Sequence, residues 1–219
     1  MEKLSALRKT YRLPIQSHLS ENPEEIAWVQ ELCPWSSCYG DAYRRFQLFG
    51  GEVKTIMAHC VHSSDEEIRL MRERGVFVAH CPESNGNLSS GIAPVRRYLR
   101  EGIPVGLGTD VAAGSGESIF RAMALAIQMS KMRWRYLNQN EKPLSMEEAL
   151  YLGTRGGGSF WGRVGSFEPG FEMDAVVIDD SAIRDDSYDS ARERLERVIY
   201  LDGECALAAK YVRGKQIEL

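Results

Sequence analysis

The sequence lacks a long hydrophobic run, a cluster of basic residues and a leader of the secretory type. Its longest apolar stretches, such as VFVAH and DAVVI, are far shorter than the roughly 20 residues of a membrane-spanning helix. The opening MEKLSALRKTYR has no apolar core like that of a signal peptide. Lysine and arginine are spread along 219 residues with a net charge of −4, which disfavours nucleic-acid binding. These absences predict a cytoplasmic protein that acts on a small molecule, with neither a membrane nor a nucleic acid as its partner.

Closely spaced cysteine pairs are also absent. The five cysteines form no C-x-x-C motif, and a chain of this length can fold without disulfides. Cys60 and Cys81 each follow a histidine, but adjacent side chains in a strand face opposite sides and free cysteine is often buried. We therefore expect reduced thiols that fill the core. Metal ligation by Cys60 or Cys81 is the less favoured interpretation.

Short apolar runs alternate with helical patterns along the first three quarters of the chain. The predicted strands are residues 13–18, 55–59, 76–80 and 104–110. Because these runs are continuous rather than alternating, they indicate a parallel sheet covered by helices on both faces, the α/β class. With 43% hydrophobic residues the chain can bury a sizeable core. An open doubly wound sheet and part of a (β/α)8 barrel both fit the pattern.

Helix signals separate and follow the predicted strands. The spacing predicts helices over residues 2–12, 23–32, 43–49, 65–74, 93–101, 117–138 and 190–200, with another beginning at Ser145. Leu4, Leu7 and Tyr11 would form the apolar face of the first helix. Reciprocal capping boxes are expected where an N-cap residue precedes a glutamate by three positions, at Asn22 with Glu25, Ser64 with Glu67 and Ser145 with Glu148.

Residues 81–91, CPESNGNLSSG, are interpreted as a polar loop. Asn85 and Asn87 favour a turn-forming role, with contact to a substrate as the alternative. Beyond about residue 165 the character of the chain changes. DAVVI predicts a strand, residues 190–200 a charged helix, and AAKYVRGKQIEL a closing hairpin.

Each predicted parallel strand ends in a polar, reactive residue: His18, His59, His80 and Asp110. The carboxyl ends of parallel strands collect active sites, because side chains converge there and helix N-termini point to the same face. Imidazole and carboxylate donors together suit zinc or iron(II). Taken singly, each residue has a structural alternative: Asp110 could cap the next helix, and His62 and His80 are favoured as structural residues.

Four ordered motifs, SHLSE, MAHCVH, AHCPESNGNLSSG and GLGTD, resemble the second half of the amidohydrolase superfamily, in particular its guanine deaminase branch. The resemblance extends over nearly the whole chain. It implies that the visible strands are the fifth to eighth of a metal-dependent (β/α)8 barrel within residues 1–164. It further implies that residues 165–219 form the C-terminal part of a small β-sandwich domain with one helix.

The resemblance also implies site residues and a reaction. Matched by motif, His18 and Asp110 are metal ligands, Glu21 is the proton shuttle, His59 binds the reacting water and substrate, and Asp110 is also the base. His18, Leu19, Ser20, Glu21 and Asp110 would contact the substrate. The implied metal is Zn²⁺, with Fe²⁺ as the alternative, and the implied reaction converts guanine to xanthine and ammonia. The H-x-E with P-C-x-x-C signature of other zinc deaminases is missing.

Two family features have no counterpart in these residues. The H-x-H pair of the first barrel strand is absent, and so is the arginine-phenylalanine pair that grips the purine. We therefore expect half of an enzyme, with its N-terminal half lost or supplied by another chain. Two protein ligands predict weak zinc binding, and the unpaired edges of a half barrel predict homo-oligomerisation, aggregation or association with the missing half. Alternatives are a deaminase for cytosine, a triazine or an adenosine derivative, and a non-catalytic remnant.

Overall fold

The computed structural model describes residues 1–183 and 190–218. A parallel sheet with its connecting helices comes first, and an antiparallel sheet with one further helix follows. The elements are α1 Glu2–Tyr11, β1 Ile15–Leu19, α2 Pro23–Leu32, α3 Tyr39–Arg45, β2 Thr55–His59, α4 Asp65–Arg74, β3 Phe77–His80, α5 Pro82–Asn87, α6 Val95–Arg100, β4 Val105–Leu107, α7 Ile119–Tyr136, α8 Met146–Tyr151, β5 Ala175–Asp179, α9 Ala191–Tyr200, β6 Ala206–Val212 and β7 Lys215–Ile217. A π-helical turn, Leu152–Gly156, extends α8, and a 3₁₀ turn covers Ser181–Ile183.

The first sheet has the strand order β1-β2-β3-β4, and all its pairings are parallel. The register places His18 beside Ala58 and Leu19 beside His59, so the ends of β1 and β2 lie next to each other. Within the described residues, β1 and β4 each have one neighbouring strand. The α/β class and the parallel sheet predicted from the sequence are confirmed.

The main core lies between this sheet and its helices. Apolar side chains from the middle of the strands pack against α4, α6 and the loops that precede the strands. Its fully buried members include Leu19, Phe49, Met57, Ile68, Met71, Val78, Tyr98, Ile103, Val105 and Leu152. The apolar character of β2, β3 and β4 is explained by this burial.

The antiparallel sheet has the order β5-β6-β7, and its last two strands form the predicted hairpin. A register shift between Val177 and Ile178 interrupts the β5–β6 pairing. The second core cluster joins α7, α8 and α9 through Met123, Ile127, Ala149 and Ile199. Residues 184–189 and 219 of the predicted C-terminal segment lie outside the described residues. Within the described part of the chain, no helix is both long and apolar enough to cross a membrane.

Several element boundaries differ from the sequence prediction. The predicted helix over 43–49 is found at Tyr39–Arg45, where the Asp41 carboxylate accepts the Ser37 N–H and supports the first turn. Residues 82–87 of the predicted loop form the short helix α5, which begins at Pro82 as proline at a first helical position allows. The apolar face of α1 is exposed at Leu4 and Leu7, so this amphipathic pattern does not mark burial in the described chain.

Two of the three predicted capping boxes are incomplete. The Asn22 side chain accepts the Glu25 N–H, but the Glu25 carboxylate accepts from the N–H of Glu21 instead of that of Asn22. Ser64 likewise accepts the Glu67 N–H, while the Glu67 carboxylate is drawn into the interior. Ser145 and Glu148 form the full reciprocal box.

Candidate active site

The carboxyl ends of β1, β2 and β4 bring together four predicted site residues. His59, at the end of β2, is 1% exposed, and its ring meets that of His18 edge to face with 5.1 Å between the centroids. His59 Nε2 lies 3.7 Å from Glu21 Oε2 and 3.9 Å from Asp110 Oδ2. His18, Glu21 and Asp110 therefore all border His59 at one rim of the sheet, and their roles there stay predictions.

Glu21 is fixed by contacts at both its backbone and its side chain. Its N–H donates to Glu25 Oε2 at 3.0 Å, and its own Oε1 accepts from Ser90 Oγ at 2.8 Å. The side chain keeps 14% of its surface exposed. The second oxygen, Oε2, is the one that faces His59, so the carboxylate is oriented toward the cluster.

Ser20 connects the end of β1 to a buried carboxylate. Its hydroxyl donates to Glu67 Oε2 at 2.7 Å, and Glu67 Oε1 accepts the Gly40 N–H at 2.8 Å. The N–H groups of Val61 and His62 both donate to the Ser20 carbonyl. Burial raises the pKa of Glu67 above its usual range. Glu67 thus links the exit of β1 to the first turn of α3, and the Ser20 carbonyl links the exits of β1 and β2.

Two predicted substrate contacts have buried side chains in the described residues. Leu19 belongs to the main core and Ser20 is 2% exposed. Their part in substrate binding stays a prediction, and the Ser20 hydroxyl is already engaged by Glu67.

Sequence reasoning assigned no role in the cluster to Ser90 or Glu67, and it gave Asn85 a substrate contact only as the less favoured alternative. Asn85 Oδ1 lies 2.9 Å from His59 Nδ1, and Asn85 belongs to helix α5 rather than to a turn. The preference for a turn-forming Asn85 is therefore wrong. The polar run SNGNLSSG that follows a strand end was the available signal, but it did not indicate which of its side chains would face His59.

Side chains of α5 and α7 contact or flank the loop after Asp110. Asn87 Nδ2 donates to the Ala113 carbonyl at 2.8 Å, and Glu83 pairs with Arg121 at 2.8 Å while accepting from the Ser115 hydroxyl. These contacts lower the pKa of Glu83. The N-cap of α7 is Ser118, so the alternative in which Asp110 caps the next helix is wrong.

Left-handed backbone conformations occur at the exits of these strands. Ser20, His59, Cys60 and Asp110 have φ values of 46°, 70°, 48° and 51°. Such values are uncommon for residues other than glycine. They turn the chain sharply at the strand ends and bring the polar side chains toward one another.

His80 and His62 lie apart from the proposed chemistry. His80 is buried, and burial together with the nearby His59 lowers its pKa to about 4. Its Nδ1 has no hydrogen-bond partner among the described residues. His62 is exposed, and its Nε2 lies 2.7 Å from the Ser90 carbonyl oxygen. These placements agree with the structural interpretation of both histidines.

The two cysteines next to histidines are buried thiols. Cys60 is fully buried and burial raises its pKa well above the usual range, while burial and the Asp110 charge raise the pKa of Cys81 to about 12. Both remain protonated at neutral pH, and a thiol binds zinc as the thiolate. The expectation that they fill the core is in line with this burial.

The donors on this chain fit a metal ion only in part. His18 and Asp110 supply an imidazole and a carboxylate, the donor types that zinc binds in catalytic sites. Among residues 1–183 and 190–218, no group of three histidine, cysteine, aspartate or glutamate side chains is arranged to hold a metal ion. Catalytic zinc has three protein ligands as a rule, so the assignment of His18 and Asp110 as metal ligands stays a prediction.

Comparison with known proteins defines the class. The model of the amidohydrolase family matches residues 1–217, and the chain belongs to this family. It is 39% identical to the guanine deaminase of Dictyostelium discoideum over 212 residues, which cover 93% of this chain and 46% of that protein.

Solved structures agree with that assignment. The crystal structure of guanine deaminase from C. acetobutylicum, with guanine bound in its active site, superposes with a TM-score of 0.94 at 49% identity, covering 99% of this chain and 51% of that one. An adenosine deaminase from Xanthomonas campestris with bound zinc gives a TM-score of 0.81 at 27% identity, with coverages of 98% and 47%. The chain therefore spans about half the length of the relatives it matches.

Proposed function

We propose that this chain carries the C-terminal half of the active site of an enzyme that hydrolyses guanine to xanthine and ammonia. The observation that supports this most strongly is the likeness to a guanine-bound guanine deaminase at 49% identity and a TM-score of 0.94. The gathering of His18, Glu21 and Asp110 around His59 also supports the proposal. The substrate is a small purine.

We also propose the finer architecture that the resemblance implies. The strands β1 to β4 would be the fifth to eighth of a (β/α)8 barrel within residues 1–164. Residues 165–219 would contribute to a small β-sandwich domain. The parallel order of the first sheet and the antiparallel order of the second support this division. The cytoplasmic location stays a prediction from the sequence.

His18 and Asp110 would hold the metal, zinc or alternatively iron(II), together with ligands from outside this chain. A bound divalent metal lowers the pKa of water toward about 7 and so provides a nucleophile in neutral solution. The family membership and the zinc bound by the Xanthomonas campestris neighbour support a metal cofactor. The partial site predicts weak zinc binding by the isolated chain. Isothermal titration of the purified chain with zinc measures this, and tight equimolar binding to a monomer would contradict the proposal.

The side chains of this cluster can move the protons that hydrolytic deamination needs. Asp110 would accept a proton from the attacking water, and its carboxylate faces His59. Glu21 would protonate the ring nitrogen beside the amino-bearing carbon and later assist the departure of ammonia. The Ser90 hydroxyl donates a hydrogen bond to this carboxylate and orients it. His59 would contact the water and the substrate between these two carboxylates.

A second candidate is deamination of another heterocycle, such as an adenosine derivative. The adenosine deaminase neighbour at 27% identity supports this alternative. The strand-end histidines and the aspartate do not separate the two substrates, because both reactions require the same hydrolysis at an amino-bearing ring carbon.

Ammonia release tests the proposal. The full chain is assayed with guanine, with cytosine and with adenosine, alone and together with a co-expressed polypeptide that carries the H-x-H motif. Activity on guanine only in the presence of that polypeptide supports the proposal. Activity restricted to another base favours the second candidate. Absence of activity on every substrate in the reconstituted assembly would identify a non-catalytic remnant.

A further inference from the structure

Asn85 contacts His59 where solvent does not reach. Asn85 Oδ1 lies 2.9 Å from His59 Nδ1, and both residues are about 1% exposed. Asn85 is carried by α5, the helix that also contacts the loop after Asp110 through Asn87. The amide is therefore carried by the same helix that supports the loop after Asp110.

The orientation of this amide decides where the imidazole carries its proton. An amide oxygen only accepts hydrogen bonds, so the ring nitrogen that faces it must be protonated. Since a neutral imidazole has a single N–H, the other nitrogen then presents a lone pair. We propose that Asn85 is a positioning residue that holds neutral His59 with its proton on Nδ1, so that Nε2 accepts hydrogen bonds at the candidate site.

The surroundings of Nε2 agree with this assignment. The nearest carboxylate oxygens, on Glu21 and Asp110, lie at 3.7 Å and 3.9 Å, beyond hydrogen-bonding distance. No close acceptor therefore requires a proton on Nε2, whereas the contact at Nδ1 is of hydrogen-bonding length. A reversed amide would donate Nδ2–H to Nδ1 and produce the opposite tautomer. The two orientations of the Asn85 amide therefore correspond to opposite tautomers of the His59 ring.

The tautomer of His59 does not depend on the proposed function. Only its consequence for catalysis rests on that function. With the proton on Nδ1, neutral His59 accepts a hydrogen bond from the attacking water or from the amino group of the substrate. It orients these groups and does not donate to the developing tetrahedral centre. The tautomer itself is a property of this chain and needs neither substrate nor metal.

Nuclear magnetic resonance of the full chain labelled with ¹⁵N-histidine tests the proposal. Long-range ¹H–¹⁵N spectra at alkaline pH, where imidazoles are neutral, identify the protonated nitrogen of each ring. His59→Gln assigns the signals of His59 by their loss. We expect Nδ1–H in the parent chain, Nδ1–H in Asn85→Asp, which keeps an acceptor oxygen, and a shift toward Nε2–H in Asn85→Leu. Asn87→Leu, on the same helix, is the matched control and should leave the tautomer of His59 unchanged.

The parent spectrum is decisive even where Asn85→Leu does not fold. A proton on Nε2 of His59 in the parent chain overturns the proposal, and so does an unchanged Nδ1–H in a folded Asn85→Leu. Failure of the assembly reconstituted with the H-x-H polypeptide to deaminate guanine, with Nδ1–H retained, would overturn the proposed function and leave the tautomer assignment standing.

Discussion

The central strands of the parallel sheet and the strands of the C-terminal antiparallel sheet are buried to different degrees. In TIMAH, which forms β2, four of five residues are buried, whereas β6 is exposed at five of seven positions and β7 at all three. The helices α4 and α6 cover the parallel sheet, and their side chains complete its core. An apolar run therefore predicts a strand, while burial of that strand depends on which elements cover it.

Polar and charged side chains also differ in burial between the two regions. At the parallel strand ends, Ser20, Glu67 and Asn85 are almost fully buried and bonded to other site residues. In the C-terminal region, ion pairs such as Arg213 with Glu172 lie in solvent. Exposed pairs contribute little, so substitutions in the two regions should have unequal effects.

The largest expected difference is in catalysis. In an assembly that releases ammonia from guanine, Glu21→Gln should lower kcat/KM by about 10²–10⁴-fold, because an amide cannot deliver a proton. Glu204→Gln, an exposed change in the C-terminal region, should leave the rate unchanged. Equal rates for Glu21→Gln and the parent assembly would remove Glu21 from the mechanism. Steady-state kinetics of ammonia release measures both variants.

The next largest difference between the two regions is expected in the stability effect of removing an ion pair. Arg133 Nε lies 2.7 Å from Glu141 Oε2, and Glu141 is 5% exposed. Arg133→Met leaves this carboxylate buried without its cation and should lower the free energy of unfolding by about 3–5 kcal/mol. Arg192→Met removes a pair with Glu147 in which both side chains are more than half exposed, and no measurable change is expected. Urea denaturation of both variants checks the contrast.

A matched pair of leucines probes the sheets directly. Leu19 at the end of β1 is fully buried, and Leu207 in β6 is 42% exposed. Leu19→Ala should lower the free energy of unfolding by about 2–5 kcal/mol through lost burial and a residual cavity. Leu207→Ala should have a small fraction of that effect. Similar losses for the two variants in chemical denaturation would show that β6 is covered in solution, and the comparison between the sheets would fail.

The smallest expected effect depends on pH. Burial, reinforced by His59, lowers the pKa of His80 from 6.5 to about 4 in the folded chain. Between these values the unfolded chain binds the extra proton, so stability falls as pH decreases, by up to about 3 kcal/mol. His80→Gln should remove this part of the acid sensitivity, while His62→Gln, an exposed change, should retain it. Urea midpoints at pH 7 and pH 4.5 measure the difference.

The sequence predicted the features that depend on local patterns. The apolar runs located the parallel strands, and the polar residue at each strand end located His18, His59 and Asp110. Residue order could predict their convergence because parallel strands share one carboxyl edge. The same rule does not predict which side-chain oxygen or nitrogen atoms of these residues face one another. Those contacts are visible only in the structure.

The features that the sequence did not predict depend on contacts between residues that are far apart in the chain. Glu67 has the spacing of a capping residue, but the buried Ser20 hydroxyl and the Gly40 N–H compete for its carboxylate. The partner of His59 lies 26 residues away on a helix that resembled a loop in composition. The amphipathic pattern of α1 did predict a helix, yet the described residues provide no cover for its apolar face.

The left-handed turns at the strand exits restrict the amino acids that these positions accept. Side chains branched at Cβ clash with the backbone in that region, whatever their polarity. Random replacement at Ser20 or Cys60, followed by selection for folded protein, should therefore return glycine and asparagine and exclude valine and isoleucine. At these two positions main-chain shape would restrict the permitted residues in addition to the buried surroundings of each side chain.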